Sequence, residues 1–198
     1  ALSYLSTGAN PWRRVRCCRM RWTPEAMEGW LEENGFRFGK SVVEGAYHVS
    51  GTSVTASEPF YRGWMSVMGE ASMVACRALS VKNGWRVLDS CAAPGGKSCY
   101  IAELLNGTGR VISMDVHPHR VKLIDAYAQR LGLDNVRPRV ADARELREDL
   151  FESMDAAIVD APCSGLGVVR NKPDMKYAVS EKSLRELPAL QLKILESV

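Results

Sequence analysis

No apolar run in the 198 residues approaches the roughly 20 that a membrane-spanning helix requires. No segment joins a charged start, an apolar middle and a small-residue cleavage site, so export is not expected and the chain reads as intracellular, cytoplasmic or nuclear, with the mitochondrion as a minor alternative. The six cysteines (Cys17, Cys18, Cys76, Cys91, Cys99, Cys163) lack the paired C-x-x-C spacing of zinc sites. They read as reduced thiols, mostly buried. Histidine is equally sparse: His117 and His119 flank Pro118 without a third ligand, so no metal is expected, and His48 reads as a strand surface residue. Internal repeats and low-complexity tracts are missing too. The one Gly-rich turn, Pro94-Gly95-Gly96, matches neither the G-x-G-x-x-G nor the Walker spacing, which argues against NAD and ATP.

What remains is the composition of an ordinary globular protein with a formal charge of +3. That excess is too small to establish a nucleic-acid partner. Its placement is uneven, because Arg13, Arg14, Arg16, Arg19 and Arg21 all precede the first acidic residue, Glu25. Such a stripe is either a solvated strand face or a track for RNA phosphates.

Residues 1–62 read as a small α+β module and residues 63–198 as a larger α/β unit. In the first, Val15 to Met20 is strand-like, and a helix follows with Thr23 as cap, Pro24 in its first turn and Asn34-Gly35 at its end. Phe36 to Phe38, Ser41 to Val43 and Ala46 to Val49 read as short strands. In the second, a helix over Ala71 to Leu79 precedes four apolar strands, Arg86 to Asp89, Val111 to Asp115, Val136 to Val140 and Ala156 to Asp160. Helices over Lys97 to Leu105 and Pro118 to Leu131 alternate with them, the pattern of a parallel sheet covered on its faces. Pro138 cannot donate to a ladder and so belongs on an edge, as the third strand does in a 3-2-1-4 order. Helical spacing resumes from Pro188 to Val198 and stops on an apolar residue. The expectation is a longer protein whose remaining C-terminal strands lie beyond Val198.

Strand one ends at Asp89 and passes through Cys91-Ala92-Ala93-Pro94-Gly95-Gly96-Lys97 into a helix, where backbone N–H groups favour an electron-rich ligand. Asp115 closes strand two, where a carboxylate commonly accepts ribose hydroxyls, and Asp142 closes strand three, where one can meet an adenine amino group. After strand four, Asp160-Ala161-Pro162-Cys163 sets a carboxylate beside a thiol. Carbon 5 of cytosine is a poor nucleophile until a thiolate adds at carbon 6 and N3 is hydrogen-bonded or protonated, so a thiol and a carboxyl suit that chemistry. The bland reading makes Cys163 an inert small residue and Asp160 a helix cap.

The stretch from about Trp64 to Val198 closely resembles the RsmB–NSUN-type RNA cytosine-5 methyltransferases. The residues that carry the likeness are 91–97, Asp115 with Arg120, Asp142, Asp160-Ala161-Pro162-Cys163-Ser164-Gly165, Pro173-Asp174-Met175-Lys176 and Leu190-Gln191-Leu192-Lys193-Ile194-Leu195. The resemblance implies a Rossmann-like methyltransferase fold. It implies that Cys91, Ala92, Ala93, Pro94, Gly95, Gly96, Lys97, Asp115, Arg120, Asp142 and Asp160 hold S-adenosylmethionine. It further implies that Asp160 engages the cytosine, that Cys163 assists release of the methylated base, and that the attacking cysteine lies in a Thr-Cys turn past Val198. Cys163 as the attacking thiol is the fallback. The first module is similar to the RNA-binding extension of that family, and Arg170, Lys172 and Lys176 could line a phosphate track. Lys97 is expected near the catalytic carboxylates, whereas Arg144 and Arg147 are expected on a solvated helix face. Met68-Gly69-Glu70-Ala71-Ser72 departs from the Gln-Asp usual there, which would weaken packing beside the cofactor. The implied partners are rRNA or tRNA, with ribosome-assembly factors possible and neither membrane nor metal. The alternative is a non-catalytic RNA-binding or ribosome-assembly factor that keeps the fold.

Overall fold

The computed structural model describes residues 12–50, 53–166 and 180–198. Pro173-Asp174-Met175-Lys176, Arg170 and Lys172 lie outside the described residues.

Strand β1, Trp12–Cys17, alternates sides, with Val15 and Cys17 buried. Helix α1, Pro24–Glu33, starts where its cap predicts: Thr23 Oγ1 accepts the Ala26 N–H at 3.2 Å. It turns out of the helix at Gly35, and Met27 and Leu31 are fully buried against the sheet. Strands β2, Phe38–Lys40, and β3, Ala46–Ser50, form a hairpin. The expected strand over Ser41 to Val43 is instead the hairpin turn, in which Ser41 Oγ accepts the Val43 N–H and the Ala46 N–H reaches back to the Val43 carbonyl. The Val42-Val43 pair imitates a strand in sequence, yet Val42 is exposed.

Two short elements were not legible: helix α2, Glu58–Tyr61, and strand β4, Met65–Val67, which pairs antiparallel with β1. The antiparallel sheet, ordered β2-β3-β1-β4, thus runs to Val67, beyond the division drawn at residue 62.

Helix α3, Glu70–Ala78, leads into the parallel sheet of β5 (Arg86–Asp89), β6 (Arg110–Asp115), β7 (Val136–Val140) and β8 (Ala156–Ile158). The order is β7-β6-β5-β8, the expected 3-2-1-4, with Pro138 on the edge opposite Ser113. Helices α4, Gly96–Leu104, and α5, Pro118–Leu131, cover one face through Ile101, Leu105, Ile124 and Leu131. The other face packs Leu88, Ile112 and Met114 against Ile194 of α6, Glu181–Ser197. This last helix starts well before the expected Pro188: Ser180 caps it through Ser183, and Pro188 sits inside it. Strand β8 is shorter than expected and releases Asp160 into a loop.

Three further expectations are corrected by how the two sheets meet. Arg16 is buried beneath α4, with Nη1 2.7 Å from both oxygens of Glu103. Arg14 reaches Glu70 at 3.6 Å, and Arg19 reaches Glu44 at 3.3 Å. The arginine stripe is therefore neither a free solvated face nor a continuous phosphate track, because most of its charge is spent on internal partners. His48 is half-buried and lies 3.0 Å from Glu70, which also accepts Ser41 Oγ at 2.6 Å. Glu70, the departure noted in the sequence, thus belongs to this joint. Arg144 and Arg147 lie in the loop after β7 rather than on a helix, each bound to an aspartate.

Candidate active site

The carboxyl ends of β5, β6 and β8 and the loop after β7 surround a cavity of about 540 Å³, closed on one side by Leu190 and Ile194 of α6. That is an ordinary volume for a small-molecule site. Cys91, Ala93, Asp115, Arg120, Asp142, Asp160 and Cys163 all line it, so seven of the twelve candidate site residues named from sequence converge on one space.

Each is held by identifiable contacts. Asp115 is almost fully buried, and its Oδ1 accepts the His117 N–H at 3.0 Å. Arg120 stands 3.3 Å from Asp115 Oδ2 and donates to the Ala93 carbonyl at 3.2 Å, tying the second strand end to the Gly-rich turn. Asp142 takes the Arg144 Nε–H at 2.9 and 3.0 Å on its two oxygens, together with the Arg144 backbone N–H. These hydrogen bonds, above all, hold its carboxyl down at about 2. A ligand amino group that reached Asp142 would have to share it with Arg144.

The remaining named residues form the wall. Ala92, Pro94, Gly96 and Lys97 line a neighbouring groove of about 150 Å³ that shares Cys91, Ala93 and Asp160 with the larger cavity. Gly95 touches neither; at φ +107° it turns the chain into α4, and a Cβ there would lie 3.1 Å from Ile124 Cα. The Lys97 ammonium lies 2.5 Å from Asp160 Oδ2, where the two spaces meet. Beneath them Asp89 is fully buried, accepting Ser98 Oγ–H at 2.7 Å on one oxygen and nothing on the other. Burial pushes its carboxyl up to about 6.

Cys163 is exposed on the loop, whereas Cys91 is half-buried and its thiol is pushed up by burial. Sequence reasoning missed several participants. Gln191 donates to the Pro162 carbonyl at 2.9 Å, fixing α6 to the Cys163 loop, and Ser197 Oγ donates to the Ala143 carbonyl. Val116, His117 and Arg144 also line the cavity. His117 and Arg144 each sit two residues past an aspartate, Asp115 or Asp142, and bind it through the backbone, a signal readable from spacing alone.

The family described as 16S rRNA methyltransferase RsmB/F matches residues 76–198. A probable ribosomal RNA small subunit methyltransferase B of Bacillus subtilis (strain 168) is 42% identical over 175 residues, 88% of this chain and 37% of the relative. The human 28S rRNA (cytosine(4447)-C(5))-methyltransferase is 32% identical over 148 residues, 75% of this chain and 18% of that protein. The crystal structure of NSun6 from Pyrococcus horikoshii with SFG superposes at a TM-score of 0.88 over 98% of this chain and 73% of that one; at 18% identity it shows a common fold. This chain spans only about a third of the first relative's length. The strand order, the convergent carboxylates and the family match over more than half of the chain agree, and the chain belongs to the 16S rRNA methyltransferase RsmB/F family.

Proposed function

We propose that this chain is the donor-binding and base-handling part of an S-adenosylmethionine-dependent RNA cytosine-5 methyltransferase acting on ribosomal or transfer RNA. The observation that carries the reading is the convergence of Asp115, Asp142, Lys97, Asp160 and Cys163 on two joined spaces at the carboxyl ends of adjacent parallel strands.

The donor set fits S-adenosylmethionine. Asp115, buried at the end of β6 and facing the cavity, suits a ribose diol, and Asp142 suits an adenine amino group. Val116, Ala141, Leu190 and Ile194 offer apolar contact to a purine. Residues 91–96, with Arg120 bracing their turn, shape the wall beside the sulfonium and the amino acid moiety, while Lys97 turns to Asp160 on the acceptor side. When bound, the cofactor supplies an electrophilic methyl group.

The rest follows from the chain's own residues. A cytosine entering the smaller space would leave its stack, which RNA permits most readily in loops. Asp160 accepts a hydrogen bond from the cytosine amino group or holds a proton at N3, while Lys97, 2.5 Å from its Oδ2, limits its movement. Cys163, exposed nearby, assists release of the product base. The module of residues 1–62 serves to bind RNA, its sheet completed by Met65–Val67, and ribosome-assembly factors are candidate protein partners.

The test is incubation of the full-length protein with labelled S-adenosylmethionine and ribosomal RNA, with modified bases identified by mass spectrometry. Label in 5-methylcytosine is expected; RNA binding with no label in any base would favour the non-catalytic assembly factor. Cys163→Ser in the full-length protein should accumulate a slow-migrating covalent RNA adduct, and its absence would remove the release role.

A further inference from the structure

The smaller groove of the site sets one cation among two carboxylates. Of the described residues that line it, Lys97 is basic, and Asp89 and Asp160 are acidic. Asp160 is exposed on its loop and takes the Lys97 ammonium at 2.5 Å. Asp89 is the last residue of β5, between β6 and β8 in the middle of the parallel sheet, and is fully buried. Its Oδ2 accepts the Ser98 hydroxyl at 2.7 Å, whereas its Oδ1 has no hydrogen-bond partner among the described residues. A carboxyl buried and only half satisfied costs stability that an uncharged side chain of the same shape would not. Such a group on the wall of a site points to a task.

We propose that Asp89 is a positioning residue for Lys97, its free Oδ1 holding the ammonium while Asp160 turns from the lysine to the cytosine. The inference rests on the reading of the chain as an RNA cytosine-5 methyltransferase. Three observations support it. Lys97 and Ser98 are neighbours in the first turn of α4, so the Ser98–Asp89 bond fixes the backbone from which the lysine projects. Asp89 lines the smaller groove alone, whereas Ser90, the next residue, lines only the larger cavity, which places Asp89 on the acceptor side. Two carboxylates against one ammonium also leave one negative charge over, the sign that favours a cytosine carrying a proton at N3.

A lysine with Asp160 as its sole counter-charge would compete with the base for that carboxylate. A second carboxylate removes the competition, because the ammonium then keeps a partner in either state. Asp89 touches neither base nor cofactor in this arrangement and acts through Lys97.

The test uses the full-length protein, ribosomal RNA and labelled S-adenosylmethionine. Asp89→Asn isolates the charge, since an amide keeps the side chain's shape and an oxygen for Ser98. It is expected to be no less stable than wild type at neutral pH, to lower kcat about tenfold, and to leave the KM for RNA and the affinity for S-adenosylhomocysteine within about twofold. A residue that acts through another adds nothing once the other is gone, so Asp89→Asn with Lys97→Met should be no slower than Lys97→Met. Unchanged kcat in Asp89→Asn, or losses that multiply in the double variant, overturns the proposal. Affinity for S-adenosylhomocysteine that falls with the rate assigns Asp89 to the donor and overturns it equally. Should Asp89→Asn not fold, Ser98→Ala decides: a slower rate is expected in the wild-type background and no further loss in Lys97→Met, and any other pattern overturns the proposal. Full activity in Asp89→Asn defeats this inference alone, whereas wild-type protein that methylates no RNA defeats the enzymatic reading with it.

Discussion

Arg16 and Glu103 form an ion pair with almost no solvent exposure, joining a strand of the antiparallel sheet to a helix of the parallel one. Burial pushes the Glu103 carboxyl up, and Arg16 opposes this. The guanidinium lies over the Tyr100 ring at 4.8 Å, while its Nε and Nη2 have no hydrogen-bond partner. Such a pair is a weak source of net stability and a strong constraint on change, because removing one member leaves the other charged and dry. Glu103→Ala is expected to lose about 3–5 kcal/mol in urea unfolding, and Arg16→Met with Glu103→Leu to recover most of that loss. A Glu103→Ala loss below about 1 kcal/mol would show that the pair is not sealed from water.

Asp89 imposes a pH dependence of its own. Its folded value of about 6 lies above the ordinary 3.8, so between them the native state binds a proton that the unfolded chain does not. Its contribution to stability is full in acid below the ordinary value and is lost as pH rises through about 6. The displacement corresponds to about 3 kcal/mol. Asp142 and Asp149, held down by arginines, act in the opposite sense, so the useful quantity is the difference between wild type and Asp89→Asn. That difference should move in favour of Asp89→Asn between pH 4 and pH 6 and then level off, as followed by denaturant titration. A difference constant across this range would contradict the buried, half-satisfied carboxyl.

Lys97 is assigned to the acceptor side of the site because it lines the small groove and grips Asp160 instead of facing the large cavity. Lys97→Met in the full-length protein should therefore reduce the methyl-transfer rate by about 100-fold or more, while S-adenosylhomocysteine affinity changes little. Lost affinity with an unchanged rate at saturation would return the lysine to the donor.

The parallel sheet was legible because its signals are local and redundant. Pro138 marks an edge, Gly132 ends α5, and Asp115, Asp142 and Asp160 stand at or two residues past strand ends. What sequence could not show were distant pairings. Arg16 and Arg13 look alike in a basic run, and only Glu103, far along the chain, makes one of them core. The same holds for Glu70, an apparent departure from a motif until Ser41, His48 and Arg14 are seen to meet on it. Strand β4 escaped notice because three residues carry too little alternation to register, and its pairing with β1 is settled by tertiary contact. Among the candidate site residues, the approach of Gly95 to Ile124, too close for a Cβ, is a tertiary contact that sequence alone does not show.

The central claim is that the strand ends of the parallel sheet seat an adenosyl cofactor on Asp115. Isothermal titration of S-adenosylhomocysteine into the full-length protein and its Asp115→Ala variant tests it most directly. The account predicts measurable binding to the wild type and at least about tenfold weaker binding to the variant, the loss expected when a charge-assisted hydrogen bond is removed. Equal affinity for the two proteins, or no binding to either, would contradict it.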